Sequence, residues 1–302
     1  MTELPASVPR LPAAGRGTIF VEDAPVLAQT AFPGDQYVLR VQAPACAAAA
    51  APGMFAHICC DPAVPMRRPL SIMRASLAGG WIEFLYKIVG EGLRHLGSRR
   101  PGDTLSILGP IGRPFEPHRA RPRTLLVGGG VGIPPMIFLA ERLTQDRAGG
   151  WRPLVLMGSE IPFPFLTRSS QIAEPGIADR VCAAMPLLES WGVPSRLASF
   201  SGFPGTYAGY VTDLAARWLE TLPDAARAEV EIFACGPPPM LAAAAALARR
   251  FELPCQVALE EFMACAVGGC AGCTVAVRTP GGTTMKRVCV DGPVFDAYSV
   301  FQ

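Results

Sequence analysis

The chain has 302 residues, 50% of them hydrophobic and 17% charged, which gives ample core and excludes a disordered polymer. Its 27 basic and 25 acidic residues leave a formal charge of +2, too close to neutral to argue for nucleic acid or an anionic membrane as partner. The longest small-apolar runs, residues 43–51 and 240–248, fall far short of the roughly 20 residues a membrane span needs.

No basic region followed by an apolar core opens the sequence, so no secretory signal is expected. Ten cysteines without export point to a reducing, cytoplasmic setting and to metal or redox use.

Residues 1–16 are rich in Pro and Ala (Pro5, Pro9, Pro12) and are expected to fray or drape over the first domain. From residue 17 to about 109 the segments are short, β-rich and punctuated by Pro and Gly. Strands are predicted over 18–21, 36–42, 54–60, 70–74, 81–88 and 104–108, with a short helix over 45–51, which together suggest a small antiparallel barrel. Two stretches in it carry chemistry. Arg68, Pro69, Leu70 and Ser71 open a strand, where a guanidinium can grip a pyrophosphate bidentately and Ser71 can reach the polar edge of a flat ring. Alone, this reads better as a solvated arginine pair. Tyr86 and Lys87 end the next strand, and Gly90, Glu91 and Gly92 follow as a glycine turn opening a helix, a natural phosphate site.

After Pro122 the grammar changes. An apolar strand over 123–127 runs into Gly128, Gly129, Gly130, Val131 and Gly132, then a helix over 134–143. Strands at 154–157, 180–184 and 231–234 alternate with helices at 211–221 and 238–251, the signature of a doubly wound parallel sheet. The glycine turn lacks the last Gly of the full Gly-x-Gly-x-x-Gly fingerprint, since Ile133 stands there, which disfavours a standard Rossmann dehydrogenase. A second strand-to-helix junction, Cys235, Gly236 and Pro237, places Cys235 at the mouth of the nucleotide site, with a buried inert thiol as the plain alternative. His57, His95 and His118 read as packing or surface residues.

The segment 254–302 is too small to hold itself together without a staple. It carries Cys265, Cys270, Cys273 and Cys289 in the spacing C-x4-C-x2-C-x15-C, among small residues that let the backbone approach a cluster. The first three have plant-type 2Fe–2S spacing. A hairpin turning at Pro280, Gly281 and Gly282 returns Cys289 beside Cys273. Zinc, disulfides and inert thiols are the other readings.

Together these motifs resemble the ferredoxin–NADP reductase superfamily and, within it, the electron-transfer branch of class B dihydroorotate dehydrogenases, on which the iron–sulfur unit follows the nucleotide domain. The resemblance implies three domains: an FAD-binding β-barrel (1–118), an NAD-binding α/β domain (119–253) and a 2Fe–2S domain (254–302). It implies that Arg68, Pro69, Leu70, Ser71, Tyr86, Lys87, Gly90 and Gly92 hold FAD. Gly129, Gly130, Gly132 and Gly236 would hold NAD (or NADP), with Cys235 near the nicotinamide as the catalytic candidate, and the four cysteines would hold the cluster. The activity implied is electron transfer from NAD(H) through FAD and the cluster to a partner. That partner is the FMN-containing dihydroorotate dehydrogenase subunit of pyrimidine biosynthesis, in a heterotetramer. The alternatives are a flavin and iron–sulfur reductase subunit of a hydrogenase, bifurcating complex or other oxidoreductase, and a zinc-stabilised, non-catalytic docking module. The sequence departs from the family pattern at Leu70 and Leu93, and the segment Ser199, Phe200, Ser201, Gly202 and Phe203 lacks the acidic Asp-Gly pair expected before Gly209.

Overall fold

A computed structural model describes residues 18–301; the stretch expected to drape at 1–16 lies outside them. Strands β1 (Phe20–Phe32), β2 (Gln36–Gln42), β3 (Phe55–Cys59), β4 (Arg68–Ser76), β5 (Trp81–Lys87) and β6 (Thr104–Ile111) close into an antiparallel barrel ordered β1-β2-β5-β4-β3-β6. Alternate residues such as Leu39, Val41, Ile72, Ile82, Phe84 and Ile107 fill its interior. Helix α1 (Pro44–Ala49) is anchored by the Glu22 carboxylate, which accepts from the amides of Ala45 and Cys46 at 3.0 and 2.7 Å. Helix α2 (Gly90–Gly97) leaves the end of β5. β1 runs far beyond the predicted 18–21, because a register shift between Val26 and Ala28 breaks the period-2 pattern by which strands are read.

The second sheet begins with β7 (Arg123–Gly129), a single 3₁₀ turn at Gly130–Gly132 and α3 (Ile133–Gln145). It continues through β8 (Arg152–Gly158), a ribbon of β9 (Arg168–Ser169) with β10 (Ala183–Ala184), α4 (Pro186–Ser190) and β11 (Ser195–Ala198). Helices α5 (Val211–Thr221) and α6 (Asp224–Arg227), strand β12 (Val230–Cys235), helix α7 (Pro238–Arg250) and strand β13 (Cys255–Ala258) follow. The chain then forms a hairpin, β14 (Thr274–Thr279) and β15 (Gly282–Arg287), a turn of helix α8 (Val288–Asp291), strand β16 (Val294–Asp296) and helix α9 (Ala297–Val300). The sheet order is β11-β8-β7-β12-β13-β16, with β16 antiparallel and the rest parallel. Central strands buried on both faces read as continuous apolar runs, which is why β7 and β12 were visible in the sequence.

Three differences matter. The strand predicted at 180–184 shrinks to β10, which joins a side ribbon. The sheet's edge is instead β11, disguised by Ser195 and Arg196. Both are buried and hydrogen-bonded, Ser195 Oγ accepting from Met185 N–H at 3.0 Å and Arg196 donating to Ile172 O at 2.7 Å. Strands β13 and β16 lie inside the segment 254–302 yet complete the nucleotide sheet, so only residues between them project as a separate unit.

The parts are firmly joined. Arg74 on β4 pairs with Glu141 on α3 at 2.6 Å, both side chains largely buried, and Phe138 of α3 enters the barrel core. The cysteine unit packs on the barrel through one apolar cluster that includes Phe55, Ile111, Met263, Cys273, Val288 and Cys289.

Candidate cofactor sites

Sequence neighbours Arg67 and Arg68 do opposite jobs. Arg67 is consumed by structure, donating to Ser106 O at 2.7 Å, Ser106 Oγ at 2.8 Å and His57 O at 3.2 Å. Arg68 contacts only the carbonyls of Met66 and Arg67 and has no carboxylate partner among the described residues. Its guanidinium lies against Gly92, where an added Cβ would come within 2.9 Å of Nε and Nη2. The glycine therefore lets an unpaired cation approach the first turn of α2, whose capping residue Val89 offers no side-chain hydrogen bond. A free guanidinium beside uncapped helix amides is an anion cradle. Lys87, also without an ion pair among the described residues, ends the neighbouring strand. Leu70 is buried and Ser71 half-exposed on β4. Tyr86 differs from the ring-edge expectation: it is buried in the barrel, stacks on Tyr37 at 5.4 Å and donates to Gln29 Oε1 at 3.0 Å. These features suit a dinucleotide with a pyrophosphate and a flat ring, so the residues fit FAD.

The glycine turn after β7 and the junction after β12 cross at close range. A Cβ on Gly132 would sit 2.3 Å from Cys235 O, and one on Gly129 would sit 2.5 Å from Met240 Sδ. Gly130 has φ +55 and nothing within 4 Å of its missing Cβ, so its backbone faces open space. Chain order reverses between β7 and β12, the switch point at which open α/β sheets bind ligands. Cys235 is 1% exposed, and burial, then the charge of Glu260, push its thiol well above the ordinary range. Burial thus favours the neutral thiol at this position under the site. Glu260, within electrostatic reach of Cys235, escaped the sequence reading because a lone carboxylate before a cysteine loop has no pattern of its own.

The hairpin returns Cys289 to Cys273, with sulfurs 3.4 Å apart and Val288 N–H donating to Cys273 O at 2.9 Å. Cys289 sits in α8 rather than at a strand end. Cys265 and Cys270 form the other half: Cys270 N–H points at Cys265 Sγ at 3.4 Å, and Gly272 N–H at Cys270 Sγ at 3.4 Å. Positive φ at Ala266, Gly268 and Ala271 (56, 82 and 53°) turns loop amides inward as an anion nest. Burial raises the Cys265 thiol, but N–H bonds from Val267, Cys270 and Gly269 outweigh it and bring the pKa to about 7. Burial and Cys273 push Cys289 up to about 12. Among the described residues no three such ligands converge on one metal ion, and all ten cysteines are free. Two thiol pairs under backbone N–H donors suit a two-iron cluster, which takes its ligands per iron, better than a single tetrahedral zinc.

His57, read from sequence as packing or surface, is buried on β3 with no hydrogen-bond partner on either ring nitrogen among the described residues. Burial is the chief cause that lowers its pKa, the Arg67 backbone and then the Met263 backbone act in the opposite sense, and the Arg67 and Arg68 charges add to the lowering. It lies between the flavin strand, pairing with Pro69, and the loop to Cys265.

The model for the iron–sulfur cluster binding domain of dihydroorotate dehydrogenase B matches residues 260–301. The NAD(+)-type dihydroorotate dehydrogenase B electron transfer subunit of Bacillus caldolyticus is 38% identical over 258 residues, 82% of this chain and 86% of that protein. The corresponding subunit of Desulforamulus reducens is 30% identical over 284 residues, 93% of this chain and 98% of that protein. Among solved structures, an NADH-dependent reduced ferredoxin-NADP oxidoreductase studied for flavin-based electron bifurcation superposes with a TM-score of 0.73 at 25% identity, covering 92% of this chain and 90% of that one. A ferredoxin reductase of carbazole 1,9a-dioxygenase, at 22% identity and a TM-score of 0.56 over 78% of this chain and 65% of that one, shares the fold. With barrel, nucleotide sheet and cysteine loop in that family's order, this chain belongs to the dihydroorotate dehydrogenase B electron transfer subunits.

Proposed function

We propose that this chain carries electrons between NAD(H) and an FMN-containing dihydroorotate dehydrogenase subunit by way of FAD and a 2Fe–2S cluster, in a cytoplasmic heterotetramer. The observation that carries the reading is the shared apolar contact in which Phe55, one strand over from the flavin motif and paired with Ser71, packs with Cys273 and Cys289. That contact supports a short path from the strand beside the flavin motif to the cysteine unit. When bound, FAD exchanges electron pairs with nicotinamide and single electrons with the cluster.

The chain's own residues bind, align and insulate. Arg68 and the amides at Gly90 and Gly92 hold the flavin pyrophosphate, Lys87 adds a cation, and Leu70 and Ser71 face the ring. The turn at Gly129, Gly130 and Gly132 takes the NAD pyrophosphate, and Gly236 lets the nicotinamide approach over the neutral Cys235. Cys265, Cys270, Cys273 and Cys289 would hold the cluster. Loop N–H groups on the sulfurs stabilise added negative charge and set the potential. Phe262, 93% exposed, and Val267, 44% exposed, lie on the cluster loop and form the partner's landing surface. Among the described residues no helix is long and apolar enough to cross a membrane.

The test is reconstitution. The purified chain should hold one flavin and two irons, and mixing it with an FMN-containing dihydroorotate dehydrogenase subunit should give dihydroorotate-dependent reduction of NAD. Zinc without flavin, or no NAD reduction in the mixture, would sink the reading.

A further inference from the structure

One arginine holds the cysteine loop from outside. Arg287 ends β15, two residues before Cys289, and its side chain reaches across to the loop between Cys265 and Cys270. There its Nη1 donates to Gly268 O at 3.0 Å. Asp291, in the same helical turn as Cys289, accepts from Arg287 N–H at 2.8 Å and lies 3.8 Å from Nε. The residue is thus tied both to the helix that carries Cys289 and to the loop that carries Cys265 and Cys270.

What Arg287 grips is a single peptide group. In the planar unit from Gly268 to Gly269, the C=O and the N–H point in opposite directions. The C=O faces Arg287, and the N–H bonds to Cys265, whose Sγ lies 4.0 Å from the place a Cβ on Gly269 would take. The amide before it, Gly268 N–H, bonds to Cys289. Two successive N–H groups therefore serve cysteines from separate arms of the unit, and the carbonyl between them is the one Arg287 holds. Glycine permits this: Gly268 has φ +82, and an added Cβ would come within 2.5 Å of Val290 Cγ2. A guanidinium on the carbonyl also polarises the amide on its far side, which strengthens that bond to sulfur. Charge by itself gives a weaker effect, because Asp291 offsets it and both side chains are partly in water.

We propose that Arg287 is a positioning residue for the iron–sulfur centre: through the Gly268–Gly269 peptide it aims amides at Cys265 and Cys289, and so sets both the potential of the cluster and its retention. The proposal rests on the reading above that the four cysteines hold a 2Fe–2S cluster. It assigns the tuning of that cluster to one side chain that touches none of the sulfurs.

The experiment compares the loaded full chain with Arg287→Met and Lys286→Met. Lys286 is the adjacent cation, on the other face of β15 and without an ion pair among the described residues. Its replacement removes the same charge and leaves Gly268 O bonded. A redox titration followed by electron paramagnetic resonance reads the potential, and loss of visible absorbance under a chelator reads retention. Arg287→Met should shift the one-electron equilibrium toward the oxidised cluster about tenfold, the worth of one hydrogen bond, which is about 59 mV lower in potential. It should also lose its cluster about tenfold faster, as removal of a group that orients metal ligands does. Lys286→Met should match the parent in both. Equal shifts in the two variants overturn the proposal in favour of charge at a distance. An unmoved potential in Arg287→Met overturns it too, even with faster cluster loss, since Arg287 is then a brace and nothing more. Arg287→Lys keeps the charge but lacks the planar fork, so its potential should fall in the same direction by less. That variant decides the matter if Arg287→Met holds too little iron to titrate, and a potential equal to the parent's would then overturn the proposal. If the parent itself binds no iron, the cluster reading fails, and the proposal with it.

Discussion

At the scale of single residues, the two glycines of the β7 turn separate two reasons for having no side chain. On Gly132 an added Cβ meets backbone, Cys235 O at 2.3 Å, which cannot swing aside. Gly132→Ala should therefore cost about 1–3 kcal/mol as overpacking and weaken NADH binding. Gly130→Ala meets nothing and should cost about 1 kcal/mol from its left-handed φ. Urea unfolding of both variants checks the order, and equal losses would contradict it. His57 gives a pH prediction. Its pKa is lowered from 6.5 in the folded chain, chiefly by burial, so the folded state binds fewer protons there than the unfolded state. Its contribution to stability is full above pH 6.5 and is lost as pH falls through that value toward the lower folded pKa. Acidification from about pH 7 to 5 should lower Tm, and His57→Phe should flatten that slope. An unaltered slope would remove His57 as its source.

At the scale of elements, the hairpin and loop of the cysteine unit are the parts that the sequence described best. Their order depends on local rules: glycine where φ is positive, small residues near sulfur, a turn at residues 280–282. The barrel and the parallel strands were legible for a similar reason, since burial on one face or two writes period-2 or continuous apolar patterns. Where a long-range contact overrides the local pattern, legibility stops. β11 hides behind buried Ser195 and Arg196, β1 behind a bulge, and Tyr86 behind a strand end that gives no sign which way its ring turns. The division of labour between Arg67 and Arg68 is likewise invisible in sequence, because it depends on Ser106 across the barrel. Within the cysteine unit, Cys270 is the exposed ligand candidate, so its replacement leaves the packed interface of Cys273 and Cys289 with the barrel intact. Cys270→Ser should lose the cluster's visible absorption and the transfer to a partner, while NADH-to-dye activity through FAD stays. Loss of FAD in that variant would show that the two sites are not independent.

At the scale of the whole molecule, one direction runs through the structure: nucleotide sheet, barrel, cysteine unit, solvent. The first two junctions are sealed, by Arg74 with Glu141 at 2.6 Å and by the apolar cluster around Phe55. The last is open, and on it Phe262 leaves 93% of its surface in water three residues before Cys265. Holding a phenyl ring there costs solubility and contributes nothing to the chain's own core, which is the energetic profile of a residue whose counterpart lies on another protein. Phe262→Ser should accordingly leave the melting temperature and NADH-to-dye rate of the isolated chain as they are. It should raise the Kd for the dihydroorotate dehydrogenase subunit by roughly 30-fold, the scale of a central aromatic anchor at about 2 kcal/mol. Titration of labelled chain with that subunit measures it. If affinity is unmoved, the partner docks elsewhere, and the exit for electrons must be sought on a face other than the one the cysteine loop presents.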